Sequence, residues 1–465
     1  MSGAGGSLKK WVPVLSVLPF LLGAAGYILA GERVLDALYF SLSLYFVNLV
    51  SDSSNALVEI ARWTAALVTT TAVLYALKRV WTRLCWAALC LGRDSVAVYC
   101  DGKERVTFPD SGHSVIYPGR EFRPRAKSHI IMLAQDSESL AFYEANRDRL
   151  RGHPVYIGLR ELDRGLMRDV PGVTFYDIDA AAARTLWKNL KLWRQGKEQL
   201  SIVIWGGGHL GQSILDHGLL LNLFSPGQQL TYHLVGDTAL YQISRSRFRT
   251  DNGDKVCFHA SDSPEAWEAA AQADAVILAE EAPVQLLQTL CVVCEAGTVY
   301  YYAPDEMDAG AYLKFSRLYP FGKNLYADEN IRGEALVLRA KEQHYDYAKE
   351  YGRLAPGETA DEAWRKLDGF TQWSNISAAD FQEVLPDILA ARPALTLEQL
   401  AALEHLRWCR FHTLNGWQHG IPKSGSRDVE KKLHRCLCLY EELEPKEREK
   451  DQALILRVLS NKDLA

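Results

Sequence analysis

The chain has no excess of positive charge. Its 465 residues include 52 Lys and Arg against 57 Asp and Glu, a formal net charge of -5. Proteins that bind nucleic acid neutralise phosphates with clustered basic residues. This balance therefore gives no reason to expect a nucleic-acid partner.

Metal-binding and catalytic patterns are also missing. The nine cysteines, an odd number in mostly apolar surroundings, suit a reducing cytoplasm. Cys291 and Cys294 lack the second pair that a zinc ribbon needs, and the histidines and cysteines between 405 and 438 match no known metal spacing. No nucleophile or general base can be named, so we expect neither a metal nor an enzyme. A membrane-bound NAD-dependent oxidoreductase is the lowest-ranked alternative.

Charge is absent from one long stretch near the N-terminus. Trp11–Ala30 contains no charged residue, and Ile60–Leu77 contains only Arg62. Each is long enough for a helix of about 30 Å, which crosses a bilayer. Between them lies the shorter apolar segment Asp36–Ser51. This layout is typical of a two-helix pore subunit with a re-entrant loop. A cleavable signal peptide and an interfacial helix without a pore are the alternatives.

Basic residues flank the two predicted spans on one side. They are Lys9 and Lys10 before the first span, and Lys78, Arg79 and Arg83 after the second. Because basic residues concentrate on the cytoplasmic side, we expect both termini in the cytoplasm. The sequence thus predicts a multi-pass protein of the cell inner membrane, in contact with lipid.

The segment between the spans resembles a potassium-channel pore. Residues 36–41 (DALYFS) resemble the start of the pore helix in two-helix potassium channels, where a TVGYG filter follows. Residues 47–52 (VNLVSD) contain no glycine, so potassium selectivity is not supported. Asn48, Ser51 and Asp52 are the candidate pore residues, with a solvated loop as the alternative for Asp52. Such a loop lines an axial path only when several subunits surround it, so we expect a homo-oligomer, a tetramer.

The first soluble segment, 91–195, alternates strand and helix patterns. This alternation predicts βαβ units with a parallel sheet. The predicted strands are Val96–Tyr99, His129–Ala134, Val155–Leu159 and Val173–Ile178, and the predicted helices are Ser137–Leu150, Arg160–Arg168 and Ala180–Trp193. No glycine fingerprint follows the first strand. The pattern indicates a degenerate Rossmann-like lobe without a dinucleotide site.

The second segment, 196–352, carries the glycine pattern that the first lacks. The buried strand Leu200–Trp205 is followed by Gly206, Gly208, His209 and Gly211, which form GxGxxG before a helix. Glycines there permit a tight turn and a close approach to a phosphate at the helix N-terminus. Asp237 follows a plausible second strand, Tyr232–Val235, about where an acid that bonds ribose hydroxyls belongs. The further predicted strands are Val256–Ala260, Ala275–Glu280 and Thr298–Ala303. A bound NAD or other adenine nucleotide is expected, with a purely structural turn as the alternative.

Two such lobes behind a two-helix pore resemble the regulator-of-potassium-conductance domains, also called TrkA-N or RCK. The resemblance covers about residues 94–305 and is clearest at Gly206–Gly211 and Asp237. In that family, ligand binding to a cytoplasmic ring pulls on the pore-lining helices. The resemblance implies a ligand-gated pore.

The C-terminal segment, 353–465, resembles the RyR domain, a small helical module repeated in ryanodine receptors. Its motifs occur in order from Ser374–Asn375 through Glu404–Trp408 to Gly416–Trp417, and it departs from the family at His434–Arg435. The resemblance implies a ligand sensor, for which aromatic faces beside an arginine suit an adenine ring and a phosphate. The candidate ligand-binding residues are Asn375, Glu404, Arg407, Trp408, Trp417 and Tyr440. In the alternative, both tryptophans belong to the core and Glu404 pairs with Arg407.

The sequence thus predicts a membrane α-helical hairpin with a re-entrant pore loop (1–90), two tandem α/β Rossmann-like domains and a small, mostly α-helical C-terminal domain. The expected function is an ion channel opened by a nucleotide-derived second messenger of the cyclic or ADP-ribose type. Bacterial proteins that join membrane spans to nucleotide sensors commonly act as antiphage effectors that depolarise the infected cell, so the architecture alone suggests such a role here. The alternative is a membrane-anchored regulatory subunit that gates a separate transporter.

Overall fold

The computed structural model describes residues 4–48, 50–92, 94–102, 105–108, 112–162, 164, 167–168, 170–280, 283–294, 297–304 and 312–460, and for 4–15 and 334 the backbone alone. The chain separates into two compact units, Met1–Gly92 and Arg93–Ala465. Each unit has a hydrophobic core of its own.

The first unit is helical. Its elements are α1 (Ala4–Leu29), α2 (Val34–Ser43) with a 3-10 turn (Leu44–Phe46), and α3 (Ala56–Leu89). Among the described residues, α3 is the one helix long and apolar enough to cross a membrane, by length and composition. The second predicted span, Ile60–Leu77, lies inside α3. Ser16–Leu29 of α1 is a shorter apolar stretch, so the two-span hairpin stays a prediction.

Two glycines of α1 let the other helices approach closely. A β-carbon on Gly23 would lie 2.9 Å from Oγ of Ser41, and one on Gly26 would lie 2.7 Å from Cγ2 of Val58. The Asn55 side chain caps α3, accepting from the Val58 amide at 3.0 Å and donating to the Gly26 carbonyl at 2.7 Å. The start of α3 is thereby fixed against α1.

The second unit begins with a five-stranded parallel sheet. Its strands are β1 (Asp94–Cys100), β2 (His113–Ile116), β3 (Ser128–Met132), β4 (Val155–Leu159) and β5 (Val173–Asp177), with helices α4 (Asp136–Leu150) and α5 (Ile178–Leu190). The spatial order is β2-β1-β3-β4-β5, the 2-1-3-4-5 order of one doubly wound class. All four predicted strands are confirmed, and β2 was not predicted.

The predicted helix over Arg160–Arg168 is wrong where that segment is described, because residues 160–162 form bends. The Asp136 carboxylate accepts the backbone N–H groups of Arg160, Glu161 and Leu162 at 2.8, 2.9 and 2.8 Å. Three amides bound to one buried carboxylate hold the chain in a loop over the start of α4.

A six-stranded parallel sheet follows. Its strands are β6 (Gln199–Trp205), β7 (Gln229–Val235), β8 (Lys255–His259), β9 (Ala275–Leu278), β10 (Thr298–Tyr302) and β11 (Leu318–Phe321), with helices α6 (His209–Leu221), α7 (Ala239–Ser244), α8 (Pro264–Gln272) and α9 (Val284–Val293). From β8 the spatial order is β8-β7-β6-β9-β10-β11. Counted from β6, that is 3-2-1-4-5-6, the order of dinucleotide-binding Rossmann folds. The Rossmann-like fold is confirmed.

The C-terminal region is mainly helical. It contains α10 (Asp328–Arg332), α11 (Glu334–Glu350), α12 (Ala360–Arg365), α13 (Gly369–Ala391), α14 (Leu397–Leu414) and α15 (Pro445–Ser460), with three two-residue strands, β12 (Gln418–His419), β13 (Arg427–Asp428) and β14 (Leu433–His434). One core cluster contains side chains of α6, β6, α13 and α14. The finer boundaries at 195 and 352 stay predictions.

Candidate functional site

The glycine loop lies where the strand order of the second sheet reverses. Gly206 follows β6 with φ +127 and donates its N–H to the Val235 carbonyl at 2.9 Å. A β-carbon on Gly211 would lie 1.8 Å from the Gly206 carbonyl oxygen. These two glycines therefore let α6 pack directly against the turn.

A second pair of glycines brings two loops together. A β-carbon on Gly207 would lie 2.6 Å from the Asp237 carbonyl oxygen, and one on Gly236, whose φ is +137, would lie 2.5 Å from the Gly207 nitrogen. The turn after β6 thus packs against the turn after β7. This contact places Asp237 beside the glycine loop.

In the described part of the protein, the space that a side chain at Gly208 would occupy is empty. Gly208 is exposed and caps α6 with extended backbone angles, and no described atom lies within 4 Å of where its β-carbon would be. Within the described residues, no acceptor is recorded for the N–H groups of His209 and Leu210. These amides belong to the first turn of a 13-residue helix, so this end can hold an anion.

Asp237 is exposed at the carboxyl end of β7. One of its carboxylate oxygens accepts the Ala239 amide at 3.4 Å. The position is the one where a ribose hydroxyl is bound in Rossmann folds. Gly206, Gly208, Gly211 and Asp237 are therefore brought together as the sequence predicts.

His209 turns away from this opening. Its Nδ1 lies 2.9 Å from Asp179 and its Nε2 lies 3.6 Å from Asp177, at the start of α5. Burial alone lowers the pKa of His209, but the hydrogen bond to Asp179 and the charges of both carboxylates raise it to about 9. The side chain is therefore a cation that joins α6 to the first sheet.

His209, Asp177 and Asp179 form the one cluster of potential metal ligands among the described residues. Their ligand atoms all lie within 4.8 Å of one another. The His209 nitrogen that a metal would need already donates a proton to Asp179, and burial raises the pKa of Asp177. An ion-paired network accounts for the geometry.

At the strand-order reversal of the first sheet, the described residues form a cluster of ion pairs. Asp101, just after β1, accepts Nε and Nη2 of Arg120 at 2.7 and 2.6 Å. The same guanidinium donates to Glu138 at 2.9 Å. These side chains hold the described part of this edge together, and the absence of a dinucleotide site in the first lobe stays a prediction.

Two of the predicted C-terminal ligand residues form a buried ion pair. Arg407 donates Nε and Nη2 to the Glu404 carboxylate at 2.8 and 2.7 Å, and Nη1 to Ser377 at 3.0 Å. The Arg407 side chain is 1% exposed and that of Glu404 5%. This arrangement favours the structural alternative for the pair.

The predicted stacking residues are packed to different degrees. Trp417 is 3% exposed and stacks on Phe370, with centroids 5.3 Å apart. Trp408 is partly buried, its ring 4.1 Å from that of His412. Tyr440 is buried, and Asn375 donates to a backbone carbonyl of its own helix. Their role in binding a ligand stays a prediction.

The candidate pore residues lie between α2 and α3 of the first unit. Asn48 and Asp52 are exposed. The Ser51 and Ser53 hydroxyls donate to the Glu32 carboxylate at 3.2 and 2.8 Å, which fixes the loop after the pore segment. Whether these residues line a pore stays a prediction.

A cavity of about 590 Å³ lies on the other side of α6. His209 lines it, as do Arg164, Arg184, Trp373 and Phe411. Apart from His209, sequence reasoning proposed none of its lining residues. The surplus of basic over acidic residues along α5 was the available signal.

No protein-family model matches the chain, and no curated protein matches it. A solved structure described as "Crystal structure of the GsuK bound to ADP" matches with 14% sequence identity and a TM-score of 0.30, covering 72% of this chain and 97% of that chain. A similarity at that TM-score carries no argument about this chain. The fold and site assignments rest on the strand order and the glycine loop.

Proposed function

We propose that this protein is a homo-oligomeric ion channel that opens when an adenine nucleotide binds its soluble unit. The observation that carries the proposal is the open glycine loop, with Gly208 exposed at the N-terminus of α6 and Asp237 beside it. It occupies the strand-order reversal, where open α/β sheets bind nucleotides.

The loop supports a specific mode of binding. The free amides at the start of α6 and the helix dipole hold a pyrophosphate above Gly208. The Asp237 carboxylate accepts a ribose hydroxyl from the same nucleotide. NAD or another adenine nucleotide such as ADP-ribose satisfies both contacts.

The first unit supports the channel part of the proposal. α3 carries many exposed apolar side chains, among them Leu67, Leu74 and Leu77, which suit contact with lipid. Asn48, Ser51 and Asp52 line the pore of a homotetramer, with both termini in the cytoplasm. Without glycine between 47 and 52, the pore discriminates poorly among cations.

The gating signal is a nucleotide-derived second messenger, of the cyclic or ADP-ribose type, sensed by the soluble unit. Opening depolarises the membrane, which suits a defence effector in an infected cell. If the chain is instead a regulatory subunit of a separate transporter, the purified chain alone does not conduct ions. Ion conduction by the purified chain therefore distinguishes the two functions.

Calorimetry with NAD and ADP-ribose on the full chain in detergent tests the nucleotide site. Because a side chain at Gly208 enters the space of the phosphate, we expect Gly208→Val to abolish nucleotide binding at the glycine loop and Gly208→Ala to weaken it less. The position is open, so both variants stay folded and lose only the small stability that a poorer N-cap residue costs. Ligand-induced stabilisation of Gly208→Val equal to that of the parent would show that the loop is structural.

A further inference from the structure

The cavity of about 590 Å³ lies entirely within the second unit. It is bounded by the carboxyl end of β5 and by side chains of α5, α6, α13 and α14. Its volume falls in the range of pockets that hold small-molecule ligands. A ligand there would contact the first sheet, the glycine helix and the C-terminal helices at once.

One end of the cavity holds two arginines with little compensating charge. The Arg164 side chain has no hydrogen bond or ion pair in the described part of the chain. The closest carboxylate to Arg184 is Asp380 at 3.8 Å, and its other oxygen binds Lys188 at 2.6 Å. Burial, with the nearby charge of Arg184, lowers the pKa of Arg164 to about 10. A partly buried arginine pair of this kind is electrostatically costly unless an anion joins it.

The acidic residues of the lining do not supply that anion. Asp216 binds Arg245 at 2.9 Å and the Tyr241 hydroxyl at 2.5 Å. Asp177 accepts the Ala180 amide at 3.0 Å and lies beside His209. Asp177 attracts both arginines from beside His209, so these two carboxylates offset the positive charge of the arginine corner only in part.

The C-terminal helices contribute aromatic and apolar groups. Trp373 of α13 is partly buried and meets Phe411 of α14 edge-on, with centroids 5.0 Å apart. Ile376 and Leu414 line the same region. An exposed aromatic face beside aliphatic side chains accepts a planar ring.

We infer that this cavity is a second ligand site, which binds an aromatic molecule bearing a phosphate, with the phosphate on Arg164 and Arg184 and the ring against Trp373. Guanidinium groups fork to phosphate oxygens, and the two ends of the cavity match the two ends of such a ligand. The inference is independent of the glycine-loop function. Because the ligand contacts the first sheet, α6 and the C-terminal helices, its binding stiffens their arrangement.

ADP-ribose and inorganic pyrophosphate are the probes, titrated into the full chain in detergent. All titrations use a Gly208→Val background, which removes any contribution of the glycine loop. We expect ADP-ribose to bind there and Arg184→Gln to weaken it at least about tenfold, the loss of a charged hydrogen bond. Pyrophosphate, which lacks the ring, binds more weakly. Lys188→Gln is the matched control, since Lys188 shares Asp380 with Arg184 but does not line the cavity.

A second variant separates a ligand role from a structural one. Arg164→Gln removes a cation that has no described partner, so the thermal midpoint of the apo protein does not fall, while ADP-ribose binds at least about tenfold more weakly. Trp373→Phe alters the ligand-dependent change in tryptophan fluorescence. Absence of ADP-ribose binding in the Gly208→Val background would overturn the site, as would equal affinity in the Arg184→Gln and Lys188→Gln proteins. Loss of binding in Gly208→Val with full binding in the parent assigns the ligand to the glycine loop instead.

Discussion

The imidazole of His209 lies 2.9 Å from the Asp179 carboxylate, which ties the first turn of the glycine helix to the helix that leaves the first sheet. The contact makes the nucleotide loop part of a junction between two sheets.

This junction predicts a specific pH dependence. The folded pKa of His209, about 9, exceeds its ordinary value of 6.5. The stabilisation is therefore fully present below about pH 6.5 and is lost as the pH rises through about 9. We expect His209→Gln to lower the thermal midpoint most near pH 6 and least near about pH 10. Asp179→Asn should follow the same trend, and a difference from the parent that stays constant across this pH range would contradict the assignment.

A methyl group should destabilise the two ends of the glycine loop to different degrees. Gly211→Ala places a β-carbon 1.8 Å from the Gly206 carbonyl oxygen, so we expect a loss of about 1–3 kcal/mol in unfolding free energy. Gly208→Ala meets no described atom and should cost less than about 1 kcal/mol. Denaturant unfolding of the two variants measures this. A Gly211→Ala protein as stable as the parent would mean that the helix does not pack on the turn in this way.

A buried ion pair joins α14 to the second sheet. Arg410 Nη2 lies 2.8 Å from Asp254, and their side chains are 1% and 0% exposed. Asp254→Asn leaves the arginine charge buried without its partner and should cost about 3–5 kcal/mol. Arg427→Gln, which removes an exposed pair with Asp368, is the control and should cost less than about 1 kcal/mol. Equal effects of the two variants would show that α14 is not docked on the sheet as described.

The predicted sensor role of the C-terminal region is best tested at Trp408. Trp417 is 3% exposed, so its removal lowers the stability of the protein. A loss of binding in such a variant could not be assigned to a lost ligand contact. Trp408 is only partly buried. If it stacks on a base, Trp408→Ala should weaken nucleotide binding by roughly tenfold in folded protein. Unchanged affinity in the variant would assign Trp408 to packing alone.

The glycine loop was predictable because its signal is local. Gly206, Gly208 and Gly211 follow a buried strand within six residues, and Asp237 ends the next strand. The pattern of apolar residues also predicted nearly every strand of the two sheets. Short edge strands such as β2 and β11 carry little periodicity and were missed.

The cavity could not be predicted, because its residues come from distant parts of the chain. Arg184 and Trp373 are far apart in sequence and meet only through the packing of α5, α6 and α13. Likewise, GxGxxG assigned His209 to the nucleotide, whereas its partner Asp179 lies in the first lobe. The side-chain direction at a loop position depends on tertiary neighbours that local spacing does not encode.

Ion flux into liposomes containing the purified chain alone tests the central claim most directly. Vesicles are loaded with potassium or sodium salt, and flux is followed before and after addition of NAD or ADP-ribose, whichever calorimetry shows to bind. We predict flux of both cations that depends on the nucleotide and is lost in Gly208→Val. Vesicles that stay impermeable while the nucleotide is bound would contradict the channel.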